Sequence, residues 1–415
     1  MPPAIGIDFG TTNSVVAMVA ADGSVRALQH PTGEVFRSIL CFWAGADGRP
    51  HKAAGSAAID AYLEEPLDSR LIMSMKSYLA QRSFTETRIF GRAWTLEGLI
   101  ALFLKELLAP FASELAGARV TVGRPVRFVG ERADNDFGEQ RLRTAFAEAG
   151  LADVEVGLEP AAAGHRFAQE LDHPATVLVA DFGGGTSDFS LLRFDPGPPR
   201  RVTALGHSGV GIAGDAFDFR IIDHVVSPLL GKGTQYTVMG GSPLPVPPAW
   251  YAAFARWNQL SMMRAPRTLR DIATVARTAE HPERLHHLIA LIEQEAGYAL
   301  YRAVSGVKAA LSKQDSAVLD FEHGDFELRT EIARRDFEAW IAPELARIAT
   351  AVDAALADAQ VGPEAVDRVF LTGGTSLVPA VRRIFEERFG ADRVLSGGEF
   401  VSVAEGLALM AREPA

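Results

Sequence analysis

Two stretches of this chain carry the same order of apolar and polar positions. At Ile5–Val19 (IGIDFGTTNSVVAMV) an apolar run ends in Asp8, turns through Gly10, Thr11, Thr12 and Asn13, and resumes as an apolar run. At Val177–Phe194 (VLVADFGGGTSDFSLLRF) the run ends in Asp181, turns through Gly183, Gly184, Gly185, Thr186 and Ser187, and resumes. Small polar turns flanked by β-branched residues predict two tight strand–turn–strand units, with Gly and Asn supplying the turn angles. A third Asp-Phe-Gly, Asp136-Phe137-Gly138, has no apolar strand before it and reads as coincidence.

Elsewhere the periodicity alternates between strand and helix. Asp22-Gly23 predicts a further hairpin turn. Helical patterns are expected at 57–63, 96–115, 132–149, from 159, from about 215, through 282–312, at 334–356 and at 401–412. Strand patterns cover 119–123, 154–156, 318–319, 326–330 and the run beginning at Val369. Residues 229–250 are rich in Gly and Pro and read as a surface loop or an insertion, with a polyproline ligand at Pro243–Pro248 as the minor alternative. His281, His286 and His287 have no carboxylate or cysteine at ligand spacing and read as surface residues.

The repeated hairpins suggest a chemistry. A Gly-rich turn frees backbone N–H groups to approach an anion, and threonine hydroxyls add donors. An aspartate at the end of each buried strand can hold a hydrated magnesium ion beside phosphate oxygens. Two such turns facing each other would clamp a metal-bound polyphosphate. Glu159 precedes a Pro-Ala-Ala-Ala helix start, where it either complements the helix dipole or orients a water. Lys76, a lone cation in an apolar segment, reads from periodicity as a surface residue with its head in water. Gly209, Gly211 and Gly214 read as a flexible loop, and Gly373-Gly374 as a turn against which a flat ring could lie.

Composition narrows the picture. A chain of 415 residues predicts two domains, and 48% hydrophobic with 22% charged residues is that of a soluble globular protein. A formal charge of −11 argues against a nucleic-acid partner. One cysteine, Cys41, allows no internal disulfide. The chain enters its first strand directly and has no span apolar enough for a bilayer, so a cytoplasmic location with no membrane partner is expected.

In this order, IGIDFGTTNSVVA, LEPAAAG, VADFGGGTSDFS and LTGGTSLVPAV resemble the nucleotide-binding domain of the heat-shock protein 70 family, within the actin and hexokinase superfamily. The resemblance spans essentially the whole chain. It implies an α/β, two-lobed actin-like ATPase fold with ribonuclease H-like repeats, mixed five-stranded sheets with helices, and a central nucleotide cleft. Lobe I would be residues 1–174 completed by a C-terminal helix at 395–415; lobe II would be 175–394, including the 229–250 insertion. By the same resemblance Gly10, Thr11, Thr12 and Asn13 and the turn Gly183, Gly184, Gly185 and Thr186 would bind ATP or ADP phosphates. Asp8, Asp181 and Asp188 would hold magnesium through water. Lys76, Glu159, Asp181 and Thr186 would be catalytic, with Glu159 positioning the attacking water. Lys308 and Ser312 would bracket the adenosine that Gly373 and Gly374 line, with Gly214 and Ser376 among the nucleotide contacts. Pro125 would couple nucleotide state to lobe motion. The implied function is slow, magnesium-dependent ATP hydrolysis in a chaperone-like protein without a peptide-binding domain, acting with a protein client or co-chaperone. The alternatives are a non-hydrolysing nucleotide-dependent switch or scaffold and, more distantly, a small-molecule kinase.

The chain departs from the family pattern around the base. Ser305 stands where the family usually has an acid, Ala309 and Leu377 where arginines sandwich the adenine, and Ala213 where a glycine precedes the lobe-two helix. Losing cation–π stacking costs about 0.5–2 kcal/mol per site. Calorimetric titration is therefore expected to give weaker ATP binding than full-length chaperones of this family show; comparable affinity would contradict this reading.

Overall fold

A computed structural model describes residues 2–45, 49–64, 68–128, 133–167, 173–195, 201–238, 241–255, 263–396 and 401–412. They group into two compact units. The first comprises residues up to Glu64, Asp68–Gly214, and Leu345 onward; the second is Asp215–Glu344.

The first unit contains one sheet topology twice. In the first sheet β1 (Ala4–Phe9) pairs antiparallel with β2 (Asn13–Val19), which pairs antiparallel with β3 (Val25–Ala27). On its other side β1 runs parallel to β4 (Arg119–Arg124), and β4 runs parallel to β5 (Val154–Leu158). The order is β5-β4-β1-β2-β3, with a short strand, Phe36–Arg37, against the start of β2. The second sheet contains β6 (Ala175–Phe182), β7 (Ser187–Asp195), β8 (Arg201–Val210), β9 (Arg368–Thr372) and β10 (Val394–Ser396), in the order β8-β7-β6-β9-β10. Its pairings repeat the first: two antiparallel, then two parallel. This is the repeated α/β arrangement expected from the sequence.

Strand alternation determines what covers each face. Ile5, Ile7, Phe9 and Val16 join one core with residues of α1 (Leu96–Leu108) and α2 (Asn135–Glu148), including Leu99, Phe103, Leu142 and Phe146. The other face of β1 and β2, with Ala4, Val15, Ala17 and Val19, packs against Ala404 and Ala408 of a C-terminal helix. In the second sheet Val177, Val179, Leu192 and Phe194 pack against Ala162 and Ala163 of α3 (Glu159–Phe167). Phe182 and Phe189, which face the other way, meet Phe385 of a helix spanning Pro379–Phe389.

The C-terminal helix is Ser402–Arg412; of the stretch 395–415, residues 397–400 and 413–415 lie outside the described residues. It lies close because small residues admit it. A Cβ on Gly6 would fall 2.1 Å from the carbonyl oxygen of Ala404, and one on Gly406 would fall 1.7 Å from that of Ala162 in α3. Arg166 and Glu405 join the same two helices at 2.7 Å.

Two expected helices are broken, and a third stretch resolves into two. The 96–115 pattern starts where the Thr95 hydroxyl accepts the Gly98 N–H at 3.1 Å, but its regular part ends at Leu108, and Pro110 sits in a 3-10 turn. The helices expected through 282–312 are Pro282–Glu293 and Gly297–Leu311, separated around Glu295, whose φ is 53°. The 334–356 pattern divides at Ile341, just before Pro343. Asn135 begins the helix expected from 132, and residue 132 lies outside the described residues. The third Asp-Phe-Gly lies inside that helix, with the Asp134 carboxylate accepting the Phe137 N–H at 3.0 Å.

The second unit holds the helices Gly297–Leu311, Pro266–Ala276 and Pro282–Glu293, and the hairpin Ser316–His323 with Phe326–Ala333. The Gly/Pro-rich 229–250 stretch contains a short hairpin, Gln235–Thr237 with Pro243–Pro245, and the start of helix Pro248–Phe254; residues 239–240 lie outside the described residues.

Gly406→Ala decides between two opposed effects. Alanine in a helix interior is worth about 1 kcal/mol over glycine. Forcing a methyl into a filled contact costs about 1–3 kcal/mol or more, and here the obstacle is backbone. The variant is expected to unfold at lower urea concentration than the parent; an unchanged or higher midpoint would show that the two helices can separate.

Candidate functional site

Both hairpin aspartates lie on the inner face of their sheet, the face covered by Ala404 and Ala408 in the first and by Ala162 and Ala163 in the second. Asp8 follows Ala4 and Gly6 at two-residue spacing, and Asp181 follows Val177 and Val179. Each therefore projects on the side covered by small-residue helices.

The first turn, Gly10–Asn13, is braced from outside. Ser38 donates its N–H to the Thr12 carbonyl at 2.9 Å, Arg37 donates from Nη1 to the Asn13 side-chain oxygen at 2.9 Å, and the Ser14 and Ser38 hydroxyls share a buried bond of 2.9 Å. The second turn closes with the Gly183 N–H donating to the Thr186 carbonyl at 2.9 Å. Gly10, Gly183, Gly184 and Gly185 do not take positive φ, contrary to the expectation that these turns need glycine for its backbone angles. At Gly10 the requirement is space: a Cβ there would sit 2.1 Å from the Asn13 carbonyl oxygen.

Asp188 stands directly across the ladder from Asp181. Its carboxyl accepts hydrogen bonds from the Thr186 hydroxyl and from the backbone N–H of Arg127, two residues after Pro125. Gly209 makes room for it, since a Cβ there would lie 2.9 Å from Asp188 Oδ1. Gly209 is thus part of β8 and not of a flexible loop.

Lys76 is buried, at 7% exposure, and Glu159, at 6%, receives its ammonium at 2.5 Å. The surface reading from periodicity is overturned by this pair. Lys76 sits in a 3-10 turn, Met75–Tyr78, entered through Ser74 in the left-handed region at φ 51°. Such a conformation is costly for a residue with a Cβ and is held only by its surroundings. Glu159 is the first residue of α3, and Gly123 lies beneath it: a Cβ on Gly123 would approach its Cγ to 2.9 Å.

The five groups act on one another. Burial pushes the Asp8 carboxyl from 3.8 up to about 7, with Lys76 opposing and Glu159 adding to the rise. Asp188 is also raised to about 7, by burial and Glu159 against Lys76, Thr186 and Arg127. Asp181 is raised well above the ordinary value by burial, Glu159, Asp8 and Asp188. Burial disfavours the Lys76 ammonium, but Glu159, Asp8 and Asp181 outweigh it and raise its pKa. Asp8 and Asp181 therefore share one electrostatic site. Among the described residues no three carboxylate, histidine or cysteine side chains are placed to chelate a metal directly.

Gly373 has φ 86°, and a Cβ on it would sit 1.9 Å from the Phe182 carbonyl oxygen, so it ties the end of β9 to the end of β6. Gly374 opens a 3-10 turn with buried Ser376, whose hydroxyl donates to the Gly373 carbonyl at 2.6 Å. Gly214 opens the helix Gly214–Ile221. In the second unit Lys308 donates to the buried carboxylate of Asp218 at 2.7 Å, and Ser312 donates back to the Lys308 carbonyl at 3.2 Å. Ala309 and Leu377 are both exposed. Arg37, Ser38, Ser74, Arg127 and Asp218 were not singled out by sequence reasoning. Only the run Ser38-Ile39-Leu40, entering a buried strand, gave a local signal.

The duplicated sheet with an acidic hairpin at each inner face defines a protein of the actin-like ATPase fold class. A family model described as Hsp70 protein matches residues 82–234 and 285–412. The chain belongs to the Hsp70 family. It is 27% identical to the "Chaperone protein DnaK" of Thermosipho africanus over 98% of its own length and 58% of that protein's. It is 26% identical to the "Chaperone protein DnaK" of Thermotoga petrophila over 98% and 59%. The chain thus spans about three-fifths of the length of these relatives.

The raised carboxyls make a stability prediction. Below pH 3.8 Asp188 is protonated whether the chain is folded or unfolded. Between 3.8 and about 7 only the folded form keeps the proton, so stability falls as pH rises through that window, and the loss is complete above 7. Without added metal or nucleotide, Asp188→Asn is expected to melt on the order of 3 °C above the parent at pH 8, and close to it at pH 4. Equal melting temperatures at both pH values would show that Asp188 ionises without penalty.

Proposed function

We propose that this chain binds ATP with magnesium and hydrolyses it slowly, as a chaperone-like protein of the heat-shock 70 type. The observation that carries the reading is the convergence of two carboxylate-tipped hairpins on one electrostatic site, with the paired Lys76 and Glu159 acting on both aspartates. The donor set suits hydrated magnesium: hard oxygen ligands, too few in one place to replace the water shell. Asp8, Asp181 and Asp188 would hold the ion through water. When bound, it would neutralise charge on the phosphates and on the carboxyls themselves.

The chain's own groups supply the rest. Phosphoryl transfer to water needs positioning and neutralisation more than covalent chemistry. The Thr11, Thr12 and Thr186 hydroxyls and the turn amides offer donors to phosphate oxygens, and Lys76 adds a positive charge. The second Glu159 oxygen can orient a water by accepting its proton. The division into lobe I, 1–174 with 395–415, and lobe II, 175–394, belongs to this proposal. So do Lys308, Ser312, Gly214 and Ser376 as nucleotide contacts, a protein client or co-chaperone as partner, and a cytoplasmic location. Among the described residues no helix is long and apolar enough to cross a membrane.

One observation favours the second reading, a non-hydrolysing nucleotide-dependent switch. Glu159 is already committed to Lys76 at 2.5 Å, which restrains it as a base. Single-turnover measurements with magnesium and ATP separate the two. Phosphate release above background is expected, and Lys76→Ala and Thr186→Ala are each expected to slow it by about 10²-fold or more. Release at background would favour the switch, and unchanged rates in both variants would remove these residues from the mechanism.

A further inference from the structure

Arg37 braces the first turn through Asn13. Its surroundings fit a larger part. The strand Phe36–Arg37 pairs with Asn13 and Ser14, and Arg37 lies directly opposite Asn13. Asn13 is two residues from Val15, which stands opposite Asp8. By strand alternation Asp8, Val15, Asn13 and Arg37 all project from one face of the sheet. Arg37 therefore shares the face that carries the first carboxyl of the site.

Its hydrogen-bond partner there is a neutral group. The guanidinium is partly buried and donates from Nη1 to the neutral amide oxygen of Asn13 at 2.9 Å. Among the described residues no carboxylate pairs with it. A guanidinium is always charged, and it carries several N–H donors in a fixed fork. One bond to an amide leaves donors unused, in a geometry that suits phosphate oxygens.

The site has use for that charge. Lys76 is committed to Glu159 and is shared electrostatically with Asp8 and Asp181. It cannot by itself offset a polyphosphate entering among these carboxyls. The first turn offers uncharged hydroxyls and amides at Thr11 and Thr12, and Arg37 is the cation held against that turn. We propose that Arg37 contacts the polyphosphate of the bound nucleotide directly, with Asn13 holding its guanidinium in position. The inference rests on the reading of the hairpins as a nucleotide clamp. It adds a charged phosphate contact supplied by a strand outside both hairpins.

The test titrates the full chain with magnesium–ATP and with magnesium–tripolyphosphate by calorimetry, alongside thermal melts. Arg37→Gln keeps a donor for Asn13 but removes the charge; Arg37→Lys keeps the charge but loses the fork; Asn13→Ala removes the support. Arg37→Gln is expected to weaken both ligands by roughly ten- to a hundredfold with an unchanged melting temperature. Arg37→Lys should recover part of the loss, and Asn13→Ala should show a smaller one. Arg37→Gln binding within about threefold of the parent would overturn the proposal while leaving the nucleotide reading intact. Equal losses in the Gln and Lys variants, with lowered melting temperatures, would also overturn it and return Arg37 to a brace. A parent protein that binds neither ligand would bring down the nucleotide reading itself.

Discussion

A single ammonium group stands among four carboxyls withdrawn from water. Lys76 meets Glu159 at 2.5 Å and is felt by Asp8, Asp181 and Asp188. One positive charge cannot satisfy four negative ones at low dielectric, so the aspartates resist ionisation. Such a cluster is expensive for stability alone, because burying charge costs more than an imperfect pairing returns. The imbalance makes sense when a further cation completes it. Under the proposed reading, uptake of a metal-bound anion and the cost of this cluster to stability have one origin.

The scaffold that enforces this is plain. Each sheet has an inner face whose small or β-branched residues end in an aspartate, and each inner face is covered by a helix thin enough to come close. Gly6 and Gly406 set the spacing, because at both positions the obstacle to a side chain is backbone, which cannot step aside as a side chain can. Gly123 does the same locally beneath Glu159. Aromatic clusters gather on the outer faces, around Phe103 and Phe146 on one sheet and Phe385 on the other, while the inner face of the second sheet also carries Leu192 and Phe194.

Much of this was legible in the residues. The duplicated hairpins could be read because strand, aspartate and small turn recur in the same order, and Glu159 because it opens a proline-marked helix. Lys76 could not be read from periodicity, since an isolated lysine has the same pattern whether its head meets water or a distant glutamate; only the family resemblance gave it a role. Arg37 and Arg127 escaped for another reason. Arg37 is placed by a cross-strand pairing that the order of residues does not show, and Arg127 acts through a backbone N–H, for which side-chain identity carries no information. Of the turn glycines, Gly10 is required by steric exclusion and not by backbone angle, while Gly183 and Gly185 have room for a side chain. The breaks near Pro110 and Pro343 follow a local rule, yet the amphipathic pattern continues across them and hides them.

The contact between Gly6 and Ala404 has a bearing on how the molecule is assembled. The strands made earliest have a face that only a helix from the far part of the sequence can cover. Until that helix arrives, the alternating residues of Ile5–Val19 remain a partly exposed, pairing-competent ribbon. Contacts of such long sequence separation slow folding and prolong exposure to aggregation. A nascent chain of this design would gain from being shielded by another protein during its own synthesis.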